Sequence, residues 1–168
     1  MILRTLKILA ITLSICYKPS MKHLHEKRIL DHTIQDLFNL ILDIESYPQF
    51  LPWVSDATVI SSHDNYIMAD LTVSFASVKQ CYRSNVTYAL ENDKAYIQAE
   101  SHTGPFKHLL SRWDLKSEDD KTFVEFTLEF ELKSKIMTNL VGPVIIQAQK
   151  KMISAFEERA HSITRQEK

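Results

Sequence analysis

The C-terminal third of the chain carries the pattern that most constrains the fold. Residues 122–133 alternate between apolar and polar side chains, which predicts a β-strand with one face in a core and the other in water. Residues 134–163 then carry apolar side chains three and four positions apart, which predicts an amphipathic helix of about 40 Å. Because such a helix can cross a whole sheet, the two segments predict a sheet packed on one face by a terminal helix.

The upstream segments supply the other strands of this sheet. A strand is predicted over residues 23–30, and Thr33 and Asp36 have the spacing of a capping box that begins a helix. That helix is expected to end near Ser46, because Pro48 disfavours helical backbone in the residue before it. Period-two segments then predict strands over residues 67–75, 82–90, 95–101 and 108–116. The predicted fold class is α+β, with an antiparallel sheet of six or seven strands and a long C-terminal helix.

Chain length and the character of the first 20 residues define the predicted domain organisation. The 168 residues suit one domain, predicted over residues 21–163 and followed by a polar tail over residues 164–168. Residues 1–20 combine Arg4 and Lys7 with an apolar run and no acidic residue, as signal peptides and presequences do. Two alternatives stay open for this extension: a targeting or membrane-touching segment, or a chain that starts at Met21.

Glycine, cysteine and net charge exclude several function classes. The glycines are Gly104 and Gly142, so neither the dinucleotide-binding G-x-G-x-x-G nor the phosphate-binding P-loop can be written. Cys16 and Cys81 lie far apart, which disfavours a disulfide framework and a cysteine-based zinc site. A net charge of −1 gives no bulk attraction to nucleic acid, and no G-x-S-x-G motif is present. The sequence therefore predicts no catalytic residue and no DNA partner.

Histidines are the remaining candidates for metal binding or catalysis. His23 and His25 lie two positions apart on the predicted first strand, so their rings share a face. This spacing supplies no third ligand, and two solvated strand histidines are the alternative, so no metal is predicted. His102 and His108 flank the segment TGPF, where each either donates to a carbonyl of a ligand or is an ordinary loop residue.

Apolar side chains are concentrated at two places where their role stays open. The segment ESYPQFLPWVSDATV (residues 45–59) places Tyr47, Phe50 and Trp53 at a helix-to-strand junction. This junction is either a rigid turn packed on the core or a gate over a cavity. The sheet and the long helix also carry many large side chains, with only two helices to cover the sheet. These large apolar side chains are compatible either with a packed core or with a cavity between the helix and the sheet.

Four stretches along the chain resemble one family: YPQFLPW (residues 47–53), TGPFKHLLSRW (103–113), VEFTLEFEL (124–132) and KKMISAFEERA (150–160). Together they resemble the coenzyme Q-binding START-domain family of the polyketide cyclase-like superfamily, whose bacterial members include ribosome association toxins. The resemblance implies a helix-grip fold, in which a curved antiparallel sheet wraps around the C-terminal helix and leaves an apolar tunnel. It implies non-enzymatic ubiquinone binding that supports respiration and quinone biosynthesis. The alternatives are a toxin that blocks joining of the ribosomal subunits and a polyketide cyclase-like enzyme.

The resemblance also implies which side chains contact the ligand. Trp53 favours the coenzyme Q branch, because the toxins tend to have a small residue there. Tyr82, Ser111, His102 or the Trp113 ring N–H are candidates to orient the head group, since quinone carbonyls accept hydrogen bonds. The predicted ligand-binding positions are Leu51, Pro52, Trp53, Val73, Phe75, Phe106, Leu109, Trp113, Phe126, Phe130, Val141, Ile145, Met152 and Phe156.

A polyprenyl ligand also predicts partners and location. Each CH₂ exposed to water costs about 0.8 kcal/mol, so the tail needs an apolar enclosure, yet ordinary pockets of roughly 300–1,000 Å³ do not hold a long one. We expect partial enclosure, a groove shared in a homodimer, or a tail left in the membrane, with Leu51, Pro52 and Trp53 at the membrane interface. The expected location is the bacterial cytoplasm, peripheral to the inner membrane, or the mitochondrial inner membrane in a eukaryote. The toxin alternative implies the large ribosomal subunit as partner.

Overall fold

The computed structural model describes residues 21–75 and 78–166, with the side chains of those residues except Phe75, Met137 and residues 164–166. The N-terminal extension over residues 1–20, for which two alternatives are open, lies outside the described residues. The elements in chain order are β1 (Lys22–Leu30), α1 (Ile34–Leu42), a 3₁₀ helix (Ile44–Gln49), β2 (Val54–His63), β3 (Tyr66–Phe75), β4 (Val78–Glu91), β5 (Lys94–Ser101), β6 (Phe106–Glu118), β7 (Lys121–Leu132) and α2 (Lys135–Gln166).

The seven strands form one antiparallel sheet in the order β1-β7-β6-β5-β4-β3-β2. Strands β2 to β7 are consecutive neighbours, whereas β1 crosses over to pair with β7, with Leu24 opposite Leu128. Two hairpin turns place Asn92 and Asp119 at positive φ, a conformation that these short polar residues tolerate. The predicted α+β architecture, a curved antiparallel sheet packed by the C-terminal helix, is confirmed.

Helix α1 begins as predicted and ends earlier than predicted. The Thr33 hydroxyl accepts a hydrogen bond from the Asp36 backbone N–H, as an N-cap side chain does, and it donates to the Asp36 carboxylate. The helix ends at Leu42 rather than near Ser46, because the Asp43 carbonyl accepts from the Ser46 hydroxyl at 2.9 Å and from the Ser46 N–H at 3.2 Å, which is 3₁₀ and not α-helical hydrogen bonding. The chain continues as a 3₁₀ helix that contains Pro48.

Helix α2 packs on the concave face of the sheet and is fixed at its C-terminal half to β1. Arg28 on β1 donates to the Ser154 hydroxyl at 2.8 Å, and its guanidinium lies 3.8 Å from the Glu157 carboxylate. Ile153 and Phe156 are buried against the sheet. The helix continues through Gln166, so its last turn includes residues that the sequence assigned to a polar tail.

Candidate functional site

An apolar cavity of about 140 Å³ lies between the concave face of the sheet, the 3₁₀ helix and α2. The cavity is lined by Ile41, Ile44, Tyr47, Leu51, Trp53, Val54, Leu71, Val73, Tyr82, Ser84, Val86, Ile97, Ala99, Phe106, Leu109, Ser111, Trp113, Phe126, Leu128, Ile145, Ala148, Gln149, Met152 and Phe156.

One wall of the cavity is a cluster of aromatic rings centred on Trp113. Trp113 on β6 and Phe126 on β7 are register partners, and their ring centroids lie 4.4 Å apart. The Phe156 ring from α2 lies 5.1 Å from Trp113 and 5.4 Å from Tyr47, edge to face in both cases. Such geometries are favourable for aromatic pairs and hold the wall in one arrangement. The cluster therefore offers a packed apolar wall that presents both faces and edges of aromatic rings.

Two tyrosines in the lining stay protonated and can act as hydrogen-bond donors. Desolvation raises the pKa of Tyr82 to about 12, and it raises the pKa of Tyr47 well above the usual range. The Tyr47 hydroxyl donates to the Ile41 carbonyl, which ties the 3₁₀ helix to α1. The Tyr82 hydroxyl has no hydrogen-bond partner among the described residues, so it is available to a ligand.

Four polar side chains that interrupt the apolar lining have no hydrogen-bond partner among the described residues. They are Tyr82 and Ser84 on β4, Ser111 on β6 and Gln149 on α2. Gln149 is only 4% exposed, and no hydrogen bond joins its amide group to any side chain or backbone group in the described part of the chain. Buried polar groups are normally satisfied by protein, water or ligand. The cavity therefore offers these four groups for hydrogen bonds to water or to a ligand.

Most of the predicted ligand-binding positions come together around this cavity. Pro52 is exposed and lies outside the lining. Phe130 and Val141 are buried in the core and also lie outside it. The side chain of Phe75 is outside the described residues. The positions in the lining are Leu51, Trp53, Val73, Phe106, Leu109, Trp113, Phe126, Ile145, Met152 and Phe156.

Gln149 and Ser84 are the lining residues of chemical interest that the sequence analysis missed. Gln149 falls on the apolar stripe of α2, because Ile145, Gln149, Met152 and Phe156 follow spacings of four, three and four. A polar residue in the middle of an apolar helix face is a signal that could have identified it. Ser84 is one of the inward-facing residues of β4, and the sequence gives no further indication that it lines a cavity.

The membrane-facing role predicted for Leu51 is wrong. Leu51 is 1% exposed, and its backbone N–H donates to the Tyr47 carbonyl at 2.8 Å, so its side chain packs inside the fold. Trp53 is half-buried and borders the cavity, while Pro52 faces solvent. The segment is thus a turn packed on the core that also closes one side of the cavity.

The head-group role predicted for His102 is also wrong. His102 lies on the outer face of the sheet, where its Nε2 is 2.9 Å from the Glu100 carboxylate. His23 and His25 lie on the outer face of β1, next to Glu129 and Glu125 respectively. The polar contacts of the cavity therefore come from hydroxyl and amide groups and not from imidazoles.

A second, more open groove of about 410 Å³ is a weaker candidate. Its Arg112 and Asp114 pair with each other at 2.8 Å, and the Arg112 guanidinium packs over the Tyr96 ring at 4.8 Å. These charges are already satisfied within the groove, so it offers less to a ligand than the apolar cavity. Within the described residues, no helix combines the length and the hydropathy of a membrane span.

Comparison with known proteins identifies one family and similar proteins, two of which are described next. Residues 30–157 match the family model described as polyketide cyclase / dehydrase and lipid transport. The chain is 34% identical over 137 residues to the ribosome association toxin RatA of Rickettsia prowazekii, covering 81% of this chain and 94% of the toxin. It is 28% identical over 122 residues to the mitochondrial coenzyme Q-binding protein COQ10 of Drosophila melanogaster, covering 70% of this chain and 49% of that protein.

The fold also matches solved structures. The chain aligns with a START superfamily protein from Mycobacterium smegmatis at a TM-score of 0.71 and 17% identity, covering 84% of this chain and 98% of that one. This likeness shows the helix-grip fold. The resemblance expected from the four sequence stretches is thereby confirmed at the level of family and fold.

Proposed function

The chain belongs to the polyketide cyclase / dehydrase and lipid transport family, and on that premise we propose that its cavity binds ubiquinone or a similar polyprenyl quinone without catalysing a reaction. One observation carries the proposal: an apolar cavity with a rigid aromatic wall contains four polar side chains that have no hydrogen-bond partner in the described part of the chain. A quinone head group is a flat ring with carbonyl acceptors. It can therefore stack against the wall and accept hydrogen bonds from the polar groups.

Donors of the right kind are available on two sides of the cavity. The Tyr82 hydroxyl and the Ser84 hydroxyl project from β4, and the Gln149 amide projects from α2 on the facing side. Each can donate to a carbonyl oxygen without first breaking a hydrogen bond within the described protein. Coenzyme Q binding by the relative COQ10 supports this choice of ligand.

The size of the cavity supports enclosure of the head group alone. A cavity of about 140 Å³ is smaller than the roughly 300–1,000 Å³ of typical ligand sites, so a long polyprenyl tail extends beyond it. An exposed tail is costly at about 0.8 kcal/mol per CH₂, which favours delivery at a membrane surface.

The first turns of α2 are suited to that membrane contact. Ile136 and Leu140 are 70% and 62% exposed and lie one helical turn apart. The exposed Lys133 and Lys135 are beside them, so the patch combines apolar side chains with positive charge that attracts anionic lipid. We assign peripheral membrane contact to this patch instead of to residues 51–53.

The lining supports binding without catalysis. Among the described lining residues, the titratable groups are Tyr47 and Tyr82, and neither has a pKa near physiological pH. General acid–base catalysis works best when the pKa of the catalytic group is close to the working pH. A polyketide cyclase-like activity has no comparable support in this cavity.

A second candidate function is inhibition of ribosomal subunit joining. It is favoured by the 34% identity with RatA of Rickettsia prowazekii, which is higher than the 28% identity with COQ10 of Drosophila melanogaster. Overproduction of the chain followed by sucrose-gradient sedimentation tests it. Unchanged peaks of subunits and whole ribosomes would remove this candidate.

The quinone proposal is tested by uptake from liposomes that contain ubiquinone and anionic lipid. Purified protein is incubated with the liposomes and separated from them, and bound quinone is quantified after organic extraction. We expect Gln149→Leu to reduce quinone affinity by about two- to tenfold, because it removes one hydrogen bond worth about 0.5–1.5 kcal/mol. The same change should leave the free energy of unfolding equal or slightly higher, since the amide has no hydrogen-bond partner among the residues that the structure describes.

The matched control for this experiment is Gln147→Leu. Gln147 lies on the exposed face of α2, two residues from Gln149, and should bind quinone like the unaltered protein. No quinone uptake by the unaltered protein would refute the proposal. Equal affinities of the two variants would refute the role of Gln149.

A further inference from the structure

Three metal-ligating side chains converge on the outer face of the sheet, at the turn between β5 and β6. They are Glu100 at the end of β5, His102 in the turn and His108 at the start of β6. One ligand atom from each lies within 4.8 Å of the others, and the two imidazole ring centroids are 5.4 Å apart. The His102 Nε2 and the Glu100 carboxylate oxygen are 2.9 Å apart. This cluster is separate from the apolar cavity, which lies on the other face of the sheet.

The backbone holds the three residues in place. Glu100 pairs with Leu110 across the β5–β6 ladder, which brings His108, two residues before Leu110, onto the same face. The turn that carries His102 is fixed by hydrogen bonds from the Arg83 N–H to the Thr103 hydroxyl at 2.6 Å and from the Phe106 N–H to the Thr103 carbonyl at 3.1 Å. A ligand set on such a frame loses little conformational entropy when it binds an ion.

The two ring nitrogens of His102 have different partners, and this decides which of them can bind a metal ion. Its Nδ1 lies 3.0 Å from the Lys107 carbonyl, which can only accept, so Nδ1 carries the hydrogen. Nε2 faces the Glu100 carboxylate, which also only accepts, so Nε2 carries a hydrogen in the ion-free protein, and a bound metal ion takes the place of that hydrogen. Histidine ligands of zinc commonly donate their other ring N–H to a backbone carbonyl in this way.

The spacing and the surrounding charge fit a small divalent ion. Zinc bonds of about 2.0–2.1 Å to nitrogen and oxygen place tetrahedral ligands about 3.3 Å apart. This separation is close to the 2.9 Å between His102 Nε2 and Glu100 and within the 4.8 Å that contains all three ligand atoms. The nearby Lys107 ammonium is neutralised by Glu131 at 2.8 Å, so it does not oppose a cation. The exposed position leaves a fourth coordination site to water.

We propose that Glu100, His102 and His108 form a binding site for one divalent transition-metal ion, with Zn²⁺ as the best match to two imidazoles and one carboxylate. The bound ion ties the end of β5 to the start of β6 and replaces the hydrogen bond between His102 and Glu100. Because Phe106 of this turn lines the cavity, the ion stabilises the end of the cavity wall from the opposite face.

Isothermal titration of tag-free, chelator-treated protein with ZnCl₂ tests the site. We expect one ion per chain, and a loss of affinity of at least about tenfold in His102→Ala and in His108→Ala, since loss of an outer-shell partner alone costs that much. The double variant His23→Ala, His25→Ala removes the other exposed histidine pair and should bind zinc like the unaltered protein. Circular dichroism of each variant verifies folding.

Two outcomes would overturn the metal site. One is no zinc binding by the unaltered protein beyond weak, unsaturable association. The other is loss of binding in the His23/His25 variant with binding retained in His102→Ala. Quinone uptake is measured on the same samples, and uptake that persists without zinc binding separates failure of this site from failure of the cavity.

Discussion

Replacing Gly104 by alanine is expected to lower the free energy of unfolding by about 3 kcal/mol or more, the combined scale of backbone strain and overpacking. Gly104 has φ +55°, which a residue with a side chain adopts at a cost. A Cβ at this position would lie 2.2 Å from the Cys81 carbonyl oxygen and 3.0 Å from the Tyr82 Cβ. Both contacts belong to β4, so the turn cannot relax without disturbing a strand that lines the cavity.

The second glycine supplies the matched control. Gly142 lies inside α2, and a Cβ built there meets no atom within 4 Å. Gly142→Ala should therefore keep stability unchanged or raise it by up to about 1 kcal/mol, because alanine is the better helix former. Urea unfolding followed by circular dichroism measures both variants. Equal stabilities of the two alanine variants would contradict the tight turn described at Gly104.

Truncation of Trp113 to alanine is expected to be the largest single change to the cavity wall. Trp113 is 6% exposed and contacts the rings of both Phe126 and Phe156. Its removal should cost about 3–5 kcal/mol in unfolding free energy, as for other buried aromatic residues cut to alanine. It also deletes the surface on which a quinone ring would stack, so quinone affinity should fall with stability.

The conservative variant Trp113→Phe separates packing from ligand contact. It keeps a ring between β7 and α2 and should lose less stability than Trp113→Ala, while its ability to stack is retained. The measurements are urea unfolding and quinone uptake from liposomes. A Trp113→Ala protein as stable as the unaltered one would show that the aromatic cluster does not hold the wall.

The overall fold could be predicted because its signals are local and repetitive. The alternation of β7 and the apolar stripe of α2 each depend on spacing within one element. The spacing of Thr33 and Asp36 likewise indicates where α1 begins. The end of α1 was harder, because it depends on the competition between Ser46–Asp43 hydrogen bonds and the α-helical ladder. The pattern of residues in the sequence does not give the difference in free energy between these two hydrogen-bonding arrangements.

The site was only partly predictable because period two gives the face of a strand and not the position along it. Phe126 and Phe130 both point inward from β7, yet only Phe126 reaches the cavity. The metal-ligating cluster was hidden for another reason. Its three members meet through the β5–β6 register and the irregularity between Phe106 and His108, which no local spacing encodes.

The most direct test of the account is quenching of tryptophan fluorescence by a short-chain ubiquinone analogue. The chain has two tryptophans, Trp53 and Trp113, and both line the cavity. A quinone in contact with an indole ring quenches its emission, so the account predicts saturable quenching at about one quinone per chain, weakened in Gln149→Leu and unchanged in Gln147→Leu. Quenching that rises linearly without saturation, as for free tryptophan in solution, would contradict binding in the cavity.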